Sequence, residues 1–155
     1  MKLEEQVCNL ELAKKLKELG VEQDSLWWWS KLEFKPAEKG VIASYDKSIN
    51  WNVYLYRPEA ITIKFQKLPE SYSAFTVAEL GEMLPNYIKL DIGIPYLFEY
   101  REGEKPFRYY KIEYSNFEKP TTTKPFCREQ NLTEANARAK MLIYLLENGL
   151  IGVKR

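Results

Sequence analysis

The chain reads as an α+β domain: an antiparallel sheet of about four to six strands, with three helices packed mainly on one face. Two observations predict this. Three stretches carry full helix punctuation, one near each end of the chain and one in its middle. Between them the apolar period falls to two, in runs rich in aromatic and β-branched residues. At 155 residues a single domain over 1–155 is expected, large enough to bury about 68–70 % of its unfolded surface.

The first helix lies in CNLELAKKLKELGV, residues 8–21. Asn9 is placed to cap it, and the helix runs over roughly residues 10–19. Leu12, Leu16 and Leu19 fall on one stripe, with Ala13 at its edge. Gly20 suits the left-handed residue after the helix, letting Val21 fold back on Leu16. Lys14, Lys15 and Lys17 lie off the stripe and read as a solvated face, favourable near the negative end of the dipole.

The second helix is AFTVAELGEMLP, residues 74–85. Thr76 and Glu79 have capping-box spacing, and Phe75 with Leu80 can form a hydrophobic staple. Pro85 stops the helix near Leu84. About two turns cannot stand alone in water, so this helix must be packed. Gly81 in its middle points to close approach of another backbone, with a functional contact as the alternative.

The third helix starts at Thr133 and ends at Asn148, followed by Gly149 in the left-handed position with Leu150 folding back on Leu145. Its core stripe is Ala135, Ala139, Leu142, Ile143 and Leu146. Arg138, Lys140, Tyr144 and Glu147 fall on the other side and read as solvated.

Five runs read as strands: WWWSKLEF from residue 27, NWNVYLYR from 50, AITIKFQ from 60, YLFEYR from 96 and FRYYKIEY from 107. The last two form the best hairpin, Tyr96–Arg101 with Phe107–Ser115. Alternation on its second strand puts Arg108, Tyr110, Ile112 and Tyr114 on one face, with Tyr109, Lys111 and Glu113 on the other. Residues 116–126 are a Pro/Thr-rich extended connection.

Trp27, Trp28 and Trp29 are consecutive. In a strand, Trp28, Leu32 and Phe34 share one face, and Trp27, Trp29, Lys31 and Glu33 the other. The charges mark the second face as the wet one. Trp28 is then core, while Trp27 and Trp29 are either covered by a neighbouring loop or tyrosine, or form a partner surface.

Composition narrows the chemistry. Net charge is +1, from 23 basic and 22 acidic residues spread along the chain, so no basic footprint for phosphates stands out. There is no histidine, which excludes Ser-His and Cys-His nucleophile pairs and most zinc sites. No glycine-rich phosphate loop is present. No catalytic residue, metal site or cofactor is expected. Cys8 and Cys127 suggest no disulfide framework, so both are expected as free thiols in a reduced, cytoplasmic setting. MKLEEQVCNL has acids and no apolar core, unlike a signal peptide. The run Met141–Leu146 is too short to span a bilayer, and the Asn131 sequon reads as chance.

The segments LEEQVCNLELAKKLKELGVEQDSLWWW, SAFTVAELGEMLP and TEANARAKMLIYLLENGLI together resemble a family of small uncharacterised proteins from phages and prophages of gut bacteria. The resemblance covers both ends of the chain and its middle helix. It implies a cytoplasmic accessory protein of a mobile element and carries no activity and no functional residues.

These readings favour a non-enzymatic protein-interaction module, its contact surface an aromatic sheet face with Trp27, Trp29 and Tyr109 and its partner a host or phage protein. The alternative is a single-stranded nucleic-acid binder, with Lys105, Phe107, Arg108, Tyr110 and Lys111 mixing charge with stacking rings. Glu102, Glu104 and Glu113 in the same hairpin weaken that field, and a solvated hairpin is the blander account. A second alternative is a carboxylate hydrolase using Glu99 and Glu113 on facing strands, although any protein this acidic offers such pairs.

Overall fold

A computed structural model describes residues 5–37, 40–55, 68, 70–89, 95–102, 110–116 and 127–152. Its three helices are α1 (Leu10–Glu18), α2 (Val77–Met83) and α3 (Glu134–Glu147). Among the described residues nine strands accompany them, and each strand pair there is antiparallel, so the fold is α+β as predicted.

The helices start and stop where local chemistry directs. Asn9 Oδ1 accepts the Leu12 N–H at 3.0 Å, and Thr133 Oγ1 accepts the Asn136 N–H at 3.3 Å. Each side chain satisfies one N–H that a helix start leaves without a partner. At α2 the capping box closes both ways. Thr76 Oγ1 accepts from Glu79 N at 3.2 Å, and the Glu79 carboxylate accepts from Thr76 N at 2.7 Å. Phe75 and Leu80, the staple pair, are both fully buried. Gly20 and Gly149 take φ of 85° and 65°. That left-handed turn lets Val21 N–H reach Leu16 O at 3.0 Å, and Leu150 N–H reach Leu145 O at 2.9 Å.

The strands fall into three ladders. In the first, β1 (Trp27–Ser30) lies between β4 (Asn52–Leu55) and β5 (Ser71–Ser73). In the second, β2 (Leu32–Ala37) pairs with β3 (Gly40–Tyr45). The third holds four strands in the order β6 (Tyr87–Lys89), β7 (Pro95–Glu102), β8 (Tyr110–Asn116) and β9 (Cys127–Asn131). The predicted hairpin is β7 with β8, and Tyr100 faces Ile112. The run from Trp27 to Phe34, expected as one strand, is two: at Lys31 the chain leaves the ladder of β1 and enters that of β2. The run from residue 60 lies outside the described residues. Strands β3, β5, β6 and β9 did not emerge from the sequence pattern.

The main core gathers Leu16 of α1, Phe75 and Leu80 around α2, Ile112 and Tyr114 of β8, and the buried side of α3. That side is wider than the predicted stripe. Ala137, Met141 and Leu145 are fully buried as well, because α1, α2, β8 and β9 all pack against α3. The opposite side is therefore not simply solvated. Arg138 bonds Glu134 at 2.7 Å, and its guanidinium lies 3.0 Å from where a Cβ on Gly81 would stand. Gly81 thus admits a neighbouring side chain, not the backbone expected. Lys15 reaches Glu147 at 3.0 Å, tying α1 to α3, and the glutamate raises the ammonium pKa.

Cys8 is fully buried with a free thiol. Burial is the main cause that pushes its pKa from 9.0 to about 12. The Cys127 side chain lies outside the described residues.

Two predictions follow from these caps and this core. Thr76→Ala should destabilise by about 1 kcal/mol. Glu79→Ala should cost more, about 1–3 kcal/mol, because it leaves several donors without their acceptor. Urea midpoints of the two variants check the order. Cys8 should resist a chromogenic disulfide reagent in the native state and react once unfolded. Its folded pKa is the higher one, so its contribution to stability is complete below pH 9 and lost as pH rises towards 12. Urea midpoints of the wild type and Cys8→Ala across that range test the sign.

Candidate interaction surface

Strand β1 carries the three tryptophans, and its two neighbours decide what each meets. Trp28 stands opposite Tyr54 on β4 and Ser73 on β5, while Trp29 stands opposite Val53 and Tyr72. Side chains at such register positions share a face. Burial along β1 alternates as the period of two requires: Trp27 and Trp29 are partly exposed, Trp28 is 2 % exposed.

Trp28 forms a small cluster with Leu32, Tyr54 and Leu68, apart from the main core. Its indole N–H donates to Ser25 O at 2.6 Å, which satisfies the polar end of a buried ring. On the other face, where Trp27 and Trp29 are expected either covered or as a partner surface, Trp29 is partly covered. Trp29 packs against the main core, and its indole N–H donates to Cys8 O at 2.9 Å. The α1 end of the chain covers this part of the sheet, which a purely local pattern does not show.

Beyond Trp29 the same face opens out. Trp51, just before β4, and Tyr72 of β5 place their ring centroids 5.6 Å apart at 50°. Three ammonium groups converge on this pair. Lys14 Nζ lies 5.4 Å from the Trp51 ring and 5.9 Å from Tyr72; Lys17 lies 4.9 Å from Tyr72; Lys31 lies 5.3 Å from Trp51. Each cation–π contact at a partly exposed site is worth about 0.5–1 kcal/mol. Backbone carbonyls fix two of the lysines: Lys17 donates to Ser71 O at 3.0 Å and Lys31 to Lys47 O at 2.9 Å. Among the described residues one carboxylate pairs with this trio, Glu11 with Lys14 at 3.8 Å.

Lys14 and Lys17 were expected on a plain solvated face, and Trp51, Tyr72 and Lys31 in no site at all. The alternation of NWNVYLYR does place Trp51 and Val53 on one face. Only the pairing of β4 and β5 with β1 brings them beside the lysines of α1. At the patch edge Tyr45 donates its hydroxyl to Glu70 at 2.8 Å. Partial desolvation, and then that carboxylate, raise its pKa.

The other predicted site residues divide. Tyr109, Lys105, Phe107 and Arg108 lie outside the described residues. Tyr110 and Lys111 are described and point to opposite faces of β8: Tyr110 packs on the main core, and Lys111 pairs with Glu113 at 3.3 Å. Glu99 and Glu113 do face one another across β7 and β8. Glu113 is 4 % exposed and is held by Arg128 at 2.8 Å as well as by Lys111. Two cations and burial leave this carboxylate no open face for a substrate. Among the described residues no helix is long and apolar enough to cross a membrane. No family model, curated protein or solved structure matches the chain.

The three tryptophans should therefore differ in kind. Trp28→Ala should cost about 3–5 kcal/mol, as an emptied core site does. Trp29→Ala should cost less, through lost packing and a lost hydrogen bond, and Trp27→Ala least. Thermal melts of the three single variants establish the order, and equal losses would contradict the alternation of faces.

Proposed function

We propose that the protein is a non-enzymatic interaction module whose contact surface is the lysine-ringed pair Trp51–Tyr72, extended by the exposed parts of Trp27 and Trp29. The partner is a protein with an acidic surface, a phage or host protein in the setting that the family resemblance implies. One observation carries this reading. Three ammonium groups, two from α1 and one from the link between β1 and β2, are held against two partly exposed rings, with a single carboxylate paired to them among the described residues. Aromatic side chains supply rigid contact area at interfaces. The lysines steer an acidic surface onto them and select against a basic one.

The ring faces are already occupied by ammonium groups, so a nucleobase could stack there only by displacing them. The described part of the 105–111 hairpin offers no alternative basic surface, because Lys111 is paired with Glu113.

The test uses Trp51→Ala and the triple variant Lys14→Glu, Lys17→Glu, Lys31→Glu, with thermal melts to establish folding. Cross-linking capture by the wild type should weaken as salt rises and be lost in both variants. Capture that survives both would overturn the surface assignment. Binding of a thymidine oligonucleotide that is lost in the same variants would turn the reading towards nucleic acid.

A further inference from the structure

A second surface shares no residue with that patch. The segment after α1, the end of α2 and the end of α3 enclose an open groove of about 420 Å³, within the usual size of a ligand cleft. Its floor is apolar, built from Val21, Met83, Leu142, Leu146 and Ile151. Its rim carries Glu22, Asp24, Glu79 and Glu82, and among the described residues no lysine or arginine lines it. Among the described residues this lining is a local concentration of negative charge in a chain of net charge +1.

The backbone adds to it. α2 and α3 both direct their C-terminal ends to this groove, and neither has a basic residue in its last turn. The end of α2 thus brings the negative end of its dipole here without a basic residue of its own, while at the end of α3 Lys15 of α1 pairs with Glu147 and Asn148 Nδ2 donates to Tyr144 O at 2.8 Å. Glu79 is occupied internally, accepting from Thr76, Ser25 and Leu26. Glu22 and Asp24 are exposed and form no ion pair among the described residues.

We infer that this groove docks a basic amphipathic helix of a partner protein. Such a helix lays its leucine-like anchors, spaced at i, i+3, i+4 and i+7, on the apolar floor. Its lysines and arginines then meet the carboxylate rim and the end of α2. An acidic or purely apolar helix meets the same floor but is opposed or unassisted by the rim. Charge complementarity thus selects the occupant. With the lysine–aromatic patch taking an acidic surface, the protein has two docking faces of opposite sign, and either can exist without the other.

The probe is a synthetic peptide of about 18 residues, five helical turns, made of leucine and lysine in that spacing. A leucine–glutamate peptide of the same pattern is the control. Titration of the full chain, followed through its amide resonances, should shift Val21, Glu22, Glu82, Met83 and Ile151 with the lysine peptide and leave them in place with the glutamate peptide. Glu22→Lys with Asp24→Lys should weaken the lysine peptide by about tenfold or more, and Met83→Glu should weaken it through the floor. Lys14→Glu with Lys31→Glu should leave it unchanged. Thermal melts keep loss of fold distinct from loss of binding. Shifts scattered over other acidic residues, equal binding of both peptides, or no effect of the groove variants would each overturn the inference. So would self-association of the protein alone that the double charge reversal disperses, since a second copy would then be the occupant.

Discussion

The fold depends on a junction of three residues, Val7, Cys8 and Asn9. Val7 bridges to Thr76. Cys8 donates its N–H to Phe75 O at 2.8 Å and accepts the Trp29 indole on its carbonyl at 2.9 Å. Asn9 donates its N–H to Asn136 Oδ1 at 2.7 Å while its own side chain caps α1. Val7 and Cys8 are fully buried, and buried backbone groups must find partners or cost free energy. With the exposed Asn9 they join α1, β1, the entry to α2 and the first turn of α3. The sheet face that carries Trp29 is covered because this junction holds α1 across it, and the lysines of α1 reach Trp51 and Tyr72 for the same reason.

A second consequence concerns α2. Its seven residues are too few to persist in isolation, yet it lines one side of the acidic groove and carries the residue that anchors the segment before β1. Glu79 accepts from Ser25 Oγ and Leu26 N as well as closing the capping box. A single carboxylate therefore sets the start of the helix and the approach of the strand that bears the tryptophans. Tyr114 holds the other end, donating its hydroxyl to Pro85 O at 2.6 Å. The helix is stable because both of its ends are anchored from elsewhere in the chain.

How much of this was legible in the sequence follows from the range of the interactions involved. Asn9, Thr76, Thr133, Gly20 and Gly149 act within four or five residues, and each was readable because its partner is a local backbone group. The β7–β8 hairpin was readable because two runs of period two follow one another directly along the chain. Strand β5 was not: Ser71 and Ser73 are fully buried, and inward-facing serines give no apolar alternation. The break at Lys31 was invisible because it reflects a change of partner strand, which no local pattern encodes. The patch shows the limit most clearly. Lys14 and Lys17 have the spacing of an ordinary wet helix face, and only the non-local pairing of β5 with β1 sets Tyr72 beneath them.

The hydrogen bond from Asn9 N–H to Asn136 Oδ1 spans 127 positions in the chain, and this has a consequence during synthesis. Ribosomes add roughly 5–20 residues each second, so the junction has no α3 to close on for several seconds after its own residues have emerged. Until then α1 lacks the part of the core that α3 supplies, although the Cys8 carbonyl that accepts the Trp29 indole is already made. Trp28 can be buried once Leu68 and β5 have emerged, because its cluster draws on Leu32, Tyr54 and Leu68, whereas the main core against which Trp29 packs is complete only with the last helix.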